Sequence, residues 1–594
     1  MPPSSDYELS SSDYSTCSSS DDEGDIELNV NDPKFFLLKW AVRHNITHTA
    51  LNGLFPILRL YGPDFRVPLD AKTFFGIKKE NRQIVRVGNG KLYYIGVRTN
   101  VLKHFESGLK FCPLPDLPPF QSLVPDRTLT ITVGIDGLPL TRSGRKCYWP
   151  IVGKLDQSSN QSPFLRGLYY GEEKPPLEAF LNDFVTECLS LESDVIVIDD
   201  KLYQFRIRCI VADAPARSFL KGSASYNGYY GCERCGQKGV YRHIRVLFPN
   251  TDSCRRSDLE FKQPVPSHPT HIIKKSPLSQ LNLGLVSQFV LDYMHLNCLG
   301  VVLKLIRTWV RGDLPHRLNS SITDRISKRL ISYNEHLPLE FCRKGRSLLE
   351  IDHSKATELR MFLLCTGPIA LKNLLPRKKY KHFLLFSVAT YILLNHNICS
   401  QWIEVAKKML IEFNASIPLL HEEHFLVYNF HSVIHLSEDV TNFGSLNTCN
   451  AFPFENFMQV IKKMLRAKNR FLEQVINRIH EYELVNEELY ISSQKHLVGV
   501  TSSRGNNVIL SKSGDFFLVE DATTHMHAVK KFIDTSSCSK YPIDSSLLSV
   551  KLVSNISVVS TVLDRSIIMS KCVCLPNDVE CTYFCIPLVH SVVE

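Results

Sequence analysis

The chain has 594 residues, 44% of them apolar and 22% charged, a balance that excludes a disordered protein and leaves chain enough for large hydrophobic cores. No apolar run reaches the roughly 18 residues of a membrane span. The longest stretch, Phe383 to Leu394, is interrupted by Ser and Thr and reads as a buried helix, so no membrane partner is expected. The net charge is +9, but eight of the 60 acidic residues and none of the 69 Lys and Arg fall in the first 27 positions, which leaves +17 on residues 28–594. A folded part that basic suits a polyanion such as nucleic acid. The opening MPPSSDYELS has neither a basic nor an apolar signal region, so a reducing compartment is expected, with the 18 cysteines as thiols or metal ligands.

Residues 1–27 are Ser- and Asp-rich with almost no aliphatic side chains and read as a disordered acidic tail. From Asp32 to Arg59 apolar residues recur at helical spacing around the polar stretch Arg43 to Asn45, which predicts a helical pair, either a small DNA-binding unit or simple packing on the core. The strand-like Gly90–Val97 and the proline-rich linker Phe111–Phe120 complete a region over 28–125. Short strands follow at Leu129–Asp136, Lys146–Gly153 and Arg166–Gly171. A helix comes next, with Leu177, Phe180, Leu181, Phe184, Val185, Cys188 and Leu189 on one face. Two further strands, Val195–Asp199 and Gln204–Asp213, read as a hairpin. This order over 126–255 fits an α/β, ribonuclease-H-like core, and several other α/β folds give the same string. Residues 256–424 read as a helical insertion, 425–490 as the second part of the core, helical again from Phe454 to Glu483, and 491–594 as a β-rich C-terminal domain.

Two carboxylates close β-branched strands, Asp136 in GIDGLPL and Asp213 in RCIVADAPAR. A carboxylate at a strand end sits on a rigid element with its oxygens directed into a cleft, as a hard cation requires; an ordinary turn is the competing reading. Cys232 and Cys235 form a CxxC, and His431 and His435 stand at i, i+4. Together they make a split Cys2His2 zinc site; separately they are an inert turn and a histidine pair on a helix surface. In NAFPFENFMQVIKKMLRAKNR a buried stripe leaves Glu455, Gln459, Lys462 and Arg466 on an adjacent face, and Lys463, Lys468 and Arg470 extend a basic surface suited to a DNA backbone. Glu455 near the helix start also fits plain dipole placement. Cys572, Cys574, Cys581 and Cys585 lie among strand residues and are expected to pack rather than bind metal.

The set ITVGIDGLPL, VADAPAR, GYYGCERCGQ, FVLDYMHLNCLG, KATELRMFLLCTGP and NAFPFENFMQVIKKMLRAKNR resembles the CACTA (En/Spm)-type DDE DNA transposases in their divergent animal form, over residues 131–483. More distantly it is similar to the Transib and RAG recombinases, where a CxxC follows the second catalytic Asp and a His pair precedes the Glu. The resemblance implies a catalytic triad of Asp136, Asp213 and Glu455 on a ribonuclease-H-like fold, its long Asp-to-Glu interval filled by a helical insertion. It implies that these three hold Mg²⁺ (or Mn²⁺) and that Cys232, Cys235, His431 and His435 hold a structural Zn²⁺. The family's DxxH element matches Asp292 and His295, which implies that His295 approaches the scissile phosphate, while the plainer reading has Asp292 capping the following helix. Arg360 matches a phosphate contact, or else pairs locally with Glu358. The expected function is metal-dependent DNA cleavage and strand transfer in the nucleus, on double-stranded transposon ends and target, by a homodimer or higher oligomer. The alternatives are a domesticated, non-catalytic DNA-binding or chromatin-associated protein that keeps the fold and zinc site, and a metal-dependent nuclease without strand transfer. Pro376–Lys381 and Lys462–Arg470 are compatible with nuclear import.

Overall fold

The computed structural model describes residues 32–62, 67–76, 83–99, 101–102, 127–141, 145–158, 162–198, 200–262, 271–485, 499–523 and 525–589. The acidic tail expected over 1–27, the linker Phe111–Phe120 and Asp199 lie outside the described residues. The chain divides into two units, Met1–Asn81 with Ile476–Glu488, and Arg82–Val475 with Leu489–Glu594.

The first unit is helical. Helix α1 (Pro33–Arg43) is capped by Asp32, which accepts from the Lys34 amide at 2.8 Å, and α2 (His48–Tyr61) by Thr47, which accepts from Ala50 at 3.1 Å. With the short α3 (Ala71–Phe74) they bury Leu38, Ala41, Val42, Leu51, Phe55 and Phe74 in a core that also takes Val485.

The second unit is mixed α/β. Its first sheet is built from β1 (Ile84–Val87), β2 (Gly90–Tyr94), β3 (Thr128–Ile135), β4 (Leu138–Pro139), β5 (Cys147–Leu155), β6 (Phe164–Gly171), β7 (Ile196–Ile198) and β8 (Lys201–Val211). The strand order is β1-β2-β6-β5-β3-β8-β7, with β4 pairing on β5. Strand β3, TLTITVGI, is buried at every position, which is why its apolar and β-branched run is nearly continuous rather than alternating. It pairs antiparallel with β5 and parallel with β8. The expected N-terminal region needs correcting here: Gly90–Tyr94 pairs with β6 through Leu92↔Tyr169, so the β1–β2 hairpin extends the sheet instead of belonging to a separate helical region.

Helix α4 (Leu177–Ser193) follows β6 and buries Leu177, Phe180, Leu181, Phe184, Val185, Cys188 and Leu191 on the sheet. After the β7–β8 hairpin the chain enters α5 (Ala214–Lys221), and Phe289 later bridges Ile210 of β8 in parallel. The middle of the chain is mainly helical and includes α6 (Arg377–Leu394), a stretch of which from His382 to Leu394 is almost wholly buried, and α7 (Cys399–Ala415). Helices α8 (Leu436–Phe443) and α9 (Phe452–Lys463) return to the first sheet, and α10 (Phe471–Leu484) follows. No described helix is long and apolar enough to cross a membrane.

The stretch expected to be helical over Phe454–Glu483 holds two helices. Helix α9 ends at Lys463, Arg470 takes a left-handed conformation (φ 48°), and Gln474 fastens the connection by accepting from Arg466 and Ala467 amides at 2.8 and 2.9 Å. The C-terminal sheet has β9 (Val508–Ser511), β10 (Phe516–Ala522), β11 (Met526–Ser537), β12 (Lys551–Ile556), β13 (Thr561–Asp564), β14 (Ile568–Pro576) and β15 (Tyr583–Pro587), in the order β10-β9-β14-β15-β12-β11-β13. Cys572 and Cys585 lie in its core, Cys574 Sγ stands 3.5 Å from Cys585 Sγ, and Cys581 is exposed.

Candidate metal centres

Two clusters of metal-ligating side chains stand among the described residues, one acidic and one of cysteine and histidine. The acidic cluster begins with the parallel pairing of β3 and β8. Gly134 is opposite Val211, and each strand runs two residues further to a carboxylate, Asp136 on one and Asp213 on the other. Adjacent parallel strands therefore deliver both acids at the same level. Asp136 accepts from the Gly137 amide at 2.7 Å, and Asp213 caps α5 by accepting from Ala216 at 2.7 Å.

Glu455 arrives from far along the chain on the first turn of α9. Its neighbour Phe454 packs directly on β3, because a Cβ at Gly134 would stand 2.4 Å from Phe454 Cδ1. The approach to α9 is tied to the same sheet by the buried Arg208 of β8, which donates to the Phe443 and Thr448 carbonyls at 2.8 and 3.2 Å. Asp292 is fully buried and fixes two things at once. Its Oδ1 accepts from the Ala451 amide at 2.7 Å at the start of α9, and its Oδ2 lies 2.8 Å from His295 Nδ1 and accepts from the His295 amide at 3.0 Å. His295 Nε2 is then 3.8 Å from Glu455 Oε1.

The ligand atoms of Asp136, His295 and Glu455 all lie within 4.8 Å of one another. Asp213 falls outside that tightest group, yet near enough for its charge to act on both Asp136 and Glu455. Burial first, and then the Asp213 charge, push the Asp136 carboxyl up to about 7. Burial likewise raises Glu455, against the attraction of His295. For His295, burial works against the charged ring, but the Asp292 hydrogen bond and charge outweigh it and push the imidazole up to about 9. Two acids held this close in a buried site resist ionisation, and the group they form with His295 could hold a metal ion.

The second cluster is wholly buried. Cys235 Sγ lies 3.4 Å from Cys232 Sγ and 3.3 Å from His431 Nε2, Cys232 Sγ lies 3.6 Å from His435 Nε2, and the two Nε2 atoms are 3.4 Å apart. A tetrahedral Zn²⁺ with Zn–S of about 2.3 Å and Zn–N of about 2.0 to 2.1 Å has edges of about 3.8 Å between sulfurs, about 3.6 Å between sulfur and nitrogen and about 3.3 Å between nitrogens. The observed edges fit that figure within a few tenths of an ångström. The other imidazole nitrogens face polar groups, with His435 Nδ1 3.3 Å from Glu438 Oε1 and His431 Nδ1 3.3 Å from the Gln237 side-chain amide. The Glu438 carboxylate accepts from His435 Nδ1–H, which fixes that ring's tautomer and leaves its Nε2 for a metal. Four protein ligands leave no open position, so a zinc held there is structural.

The expected basic row is only partly on one helix face. Lys462 and Lys463 occupy the last turn of α9, whereas Arg466, Lys468 and Arg470 belong to the exposed connection to α10. The alternative reading of Arg360, a local pair with Glu358, is not met among the described residues. Positions two apart lie on different sides of a helix; Glu358 accepts from Arg346 at 2.7 and 3.0 Å, while Arg360 donates to Asn447 at 3.1 Å and lies over the Phe452 ring.

Sequence reasoning missed the buried charges around the zinc ligands: Arg217, Lys221, Glu233, Arg234 and Asp439. Nothing in GCERCG separates a buried Glu–Arg pair from a solvated one. The packing role of Gly134 was also missed, although a glycine inside a β-branched run is a signal of close approach. Scans against the models of known protein families match none, and no curated protein matches the chain.

Proposed function

We propose that the chain is a DDE-type DNA transposase resembling the CACTA (En/Spm) class, with Asp136, Asp213 and Glu455 as its catalytic carboxylates. The observation that carries this reading is the delivery of Asp136 and Asp213 by adjacent parallel strands, with Glu455 brought beside Asp136 by the seating of Phe454 on Gly134. The strand order β6-β5-β3-β8, followed by the parallel bridge at Phe289, supports a ribonuclease-H-like core, with α4 as the crossover between β6 and β8. The helical stretch between Asp213 and Glu455 is then an insertion in that core.

The three carboxylates would hold Mg²⁺ or Mn²⁺, which when bound supplies activation of a water or 3′-hydroxyl and stabilisation of the leaving oxygen in an in-line phosphoryl transfer. The residues themselves do the positioning. Asp136 and Asp213 stand on rigid strand ends, and Glu455 on a helix pinned to the same sheet. Asp292 holds the His295 ring toward Glu455, which sets Nε2 where a phosphate oxygen could meet it. Lys462 and Lys463, with Arg466, Lys468 and Arg470 of the neighbouring connection, would track the DNA backbone. The zinc held by Cys232, Cys235, His431 and His435 would be structural. We assign the protein to the nucleus and to a dimer or larger assembly that holds two transposon ends.

The test is cleavage and strand transfer on double-stranded DNA carrying the ends of the element that encodes the chain, with Mg²⁺ or Mn²⁺. The wild type should cut and join. Asp136→Ala, Asp213→Ala and Glu455→Ala should each abolish both steps while DNA binding persists. A wild type that binds DNA and neither cuts nor joins supports the domesticated DNA-binding protein instead, and cutting without joining supports a nuclease.

A further inference from the structure

The two residues between Cys232 and Cys235 are buried, Glu233 at 2% exposure and Arg234 at 3%. Charges are taken that far out of water only when their partners satisfy them. The partners lead to the two halves of the acidic centre. Glu233 accepts from Arg217 Nε at 3.0 and 3.1 Å, from Lys221 Nζ at 2.6 Å and from the Tyr428 hydroxyl at 2.6 Å. Arg217 and Lys221 belong to α5, the helix that Asp213 caps. Arg217 also donates through Nη1 to the Ala212 carbonyl at 2.6 Å, on the residue immediately before Asp213.

Arg234 points the other way. It donates to the Phe289 carbonyl at 2.8 Å and to Asp439 of α8, and Asp439 in turn accepts from the Leu291 amide at 2.7 Å. The segment so held runs directly into Asp292, whose two oxygens fix His295 and the start of α9. The cysteines on either side of this pair meet His431 and His435, and His435 immediately precedes α8. One four-residue turn therefore reaches both sides of the acidic centre from behind.

We propose that Glu233 and Arg234 are positioning residues of the acidic centre: Glu233 sets Asp213 through Arg217 and α5, Arg234 sets Asp292 and His295 through Asp439 and Phe289, and the Cys2His2 centre fixes both at once. The claim that what they position is catalytic rests on the function proposed above. The division of labour between them does not, because it follows from the contacts alone.

The experiment uses the full chain as wild type, Glu233→Gln and Arg234→Lys, each checked for zinc content by elemental analysis. Amide hydrogen exchange is followed by mass spectrometry in segments 213–221, 289–296 and, as a remote control, 568–576. Both substitutions preserve size and some hydrogen bonding, which favours retention of the fold. Glu233→Gln should speed exchange in 213–221 about tenfold and leave 289–296 near the wild-type rate; Arg234→Lys should do the reverse; neither should move 568–576. Removing zinc from the wild type with a chelator should loosen both segments together, a separate test of the Cys2His2 centre that needs no substitution; should either variant fail to fold, Glu233→Asp or Arg234→Gln replaces it in the comparison. Rates unchanged in both segments, or raised equally in all three, overturn the proposal. A parallel titration with Mn²⁺, read by electron paramagnetic resonance, should show about tenfold weaker binding in each variant with zinc content unchanged. If the wild type itself binds no Mn²⁺ at Asp136 and Glu455, the catalytic reading fails, and the exchange pattern still decides the positioning roles.

Discussion

Gly134 and Phe454 meet with no room for a side chain between them: a Cβ on Gly134 would lie 2.4 Å from Phe454 Cδ1 and 2.5 Å from Cγ. Phe454 can shift only by moving α9, and α9 carries Glu455. Gly134→Ala should therefore displace Glu455 from Asp136 at an overpacking cost of about 1 to 3 kcal/mol. The expected outcome is a folded, zinc-loaded protein that has lost at least a hundredfold in DNA cleavage, measured beside its thermal unfolding and zinc content.

The cysteine–histidine cluster should hold one zinc per chain. Binding of a structural zinc contributes roughly 10 to 16 kcal/mol in small zinc-binding peptides, so its loss is expected to be felt well beyond the four ligands. Cys232→Ser should bind less than a tenth of the wild-type zinc and unfold at least 10 °C lower, on the order of 10 kcal/mol for a unit of roughly 500 residues. Elemental analysis and calorimetry on the same preparation check both.

Lys571 of β14 is buried and donates to both Glu340 carboxylate oxygens at 3.0 Å and to Asn506 Oδ1 at 2.5 Å, joining the C-terminal sheet to the helical middle of the chain. Removing one partner of a buried pair strands the other. Lys571→Met alone should cost about 3 to 5 kcal/mol, whereas Lys571→Met with Glu340→Leu should recover most of that loss. Urea unfolding of the two single variants and the double variant measures the coupling.

His382 lies stacked on Phe413 at 4.2 Å with Nε2 2.8 Å from the Phe413 carbonyl, and burial pushes its imidazole down from 6.5 to about 4. The folded state holds this ring neutral while the unfolded chain takes up a proton. Its contribution is therefore fully present above pH 6.5 and is lost as the pH falls toward 4, by on the order of 3 kcal/mol. The urea midpoint of the wild type should fall over that window, and His382→Gln should flatten the fall.

What could be read from the sequence followed from local constraints. Asp136 and Asp213 stand out because each ends a β-branched run, and CxxC with HxxxH is a spacing that a tetrahedral metal needs. The stripe on α4 was readable for the same reason, since a helix repeats its buried face every three or four residues. Features set by distant contacts were not. The break between α9 and α10 carries neither Pro nor Gly; Gln474 makes it by bonding back to Arg466 and Ala467. The β1–β2 hairpin joins the first sheet through β6, a partner that hydropathy alone does not name. Glu233 and Arg234 look like surface charge in the sequence and become buried only because Arg217, Lys221 and Asp439 converge on them from other parts of the chain.

The most direct measurement is anomalous diffraction at the manganese edge from crystals of the full chain grown with Mn²⁺. The account expects two manganese peaks about 3.5 to 4 Å apart, bounded by Asp136, Asp213 and Glu455, with both peaks absent in Asp136→Ala. No manganese between these carboxylates, in crystals where their side chains are ordered, would contradict the assignment of this cluster as the reaction centre.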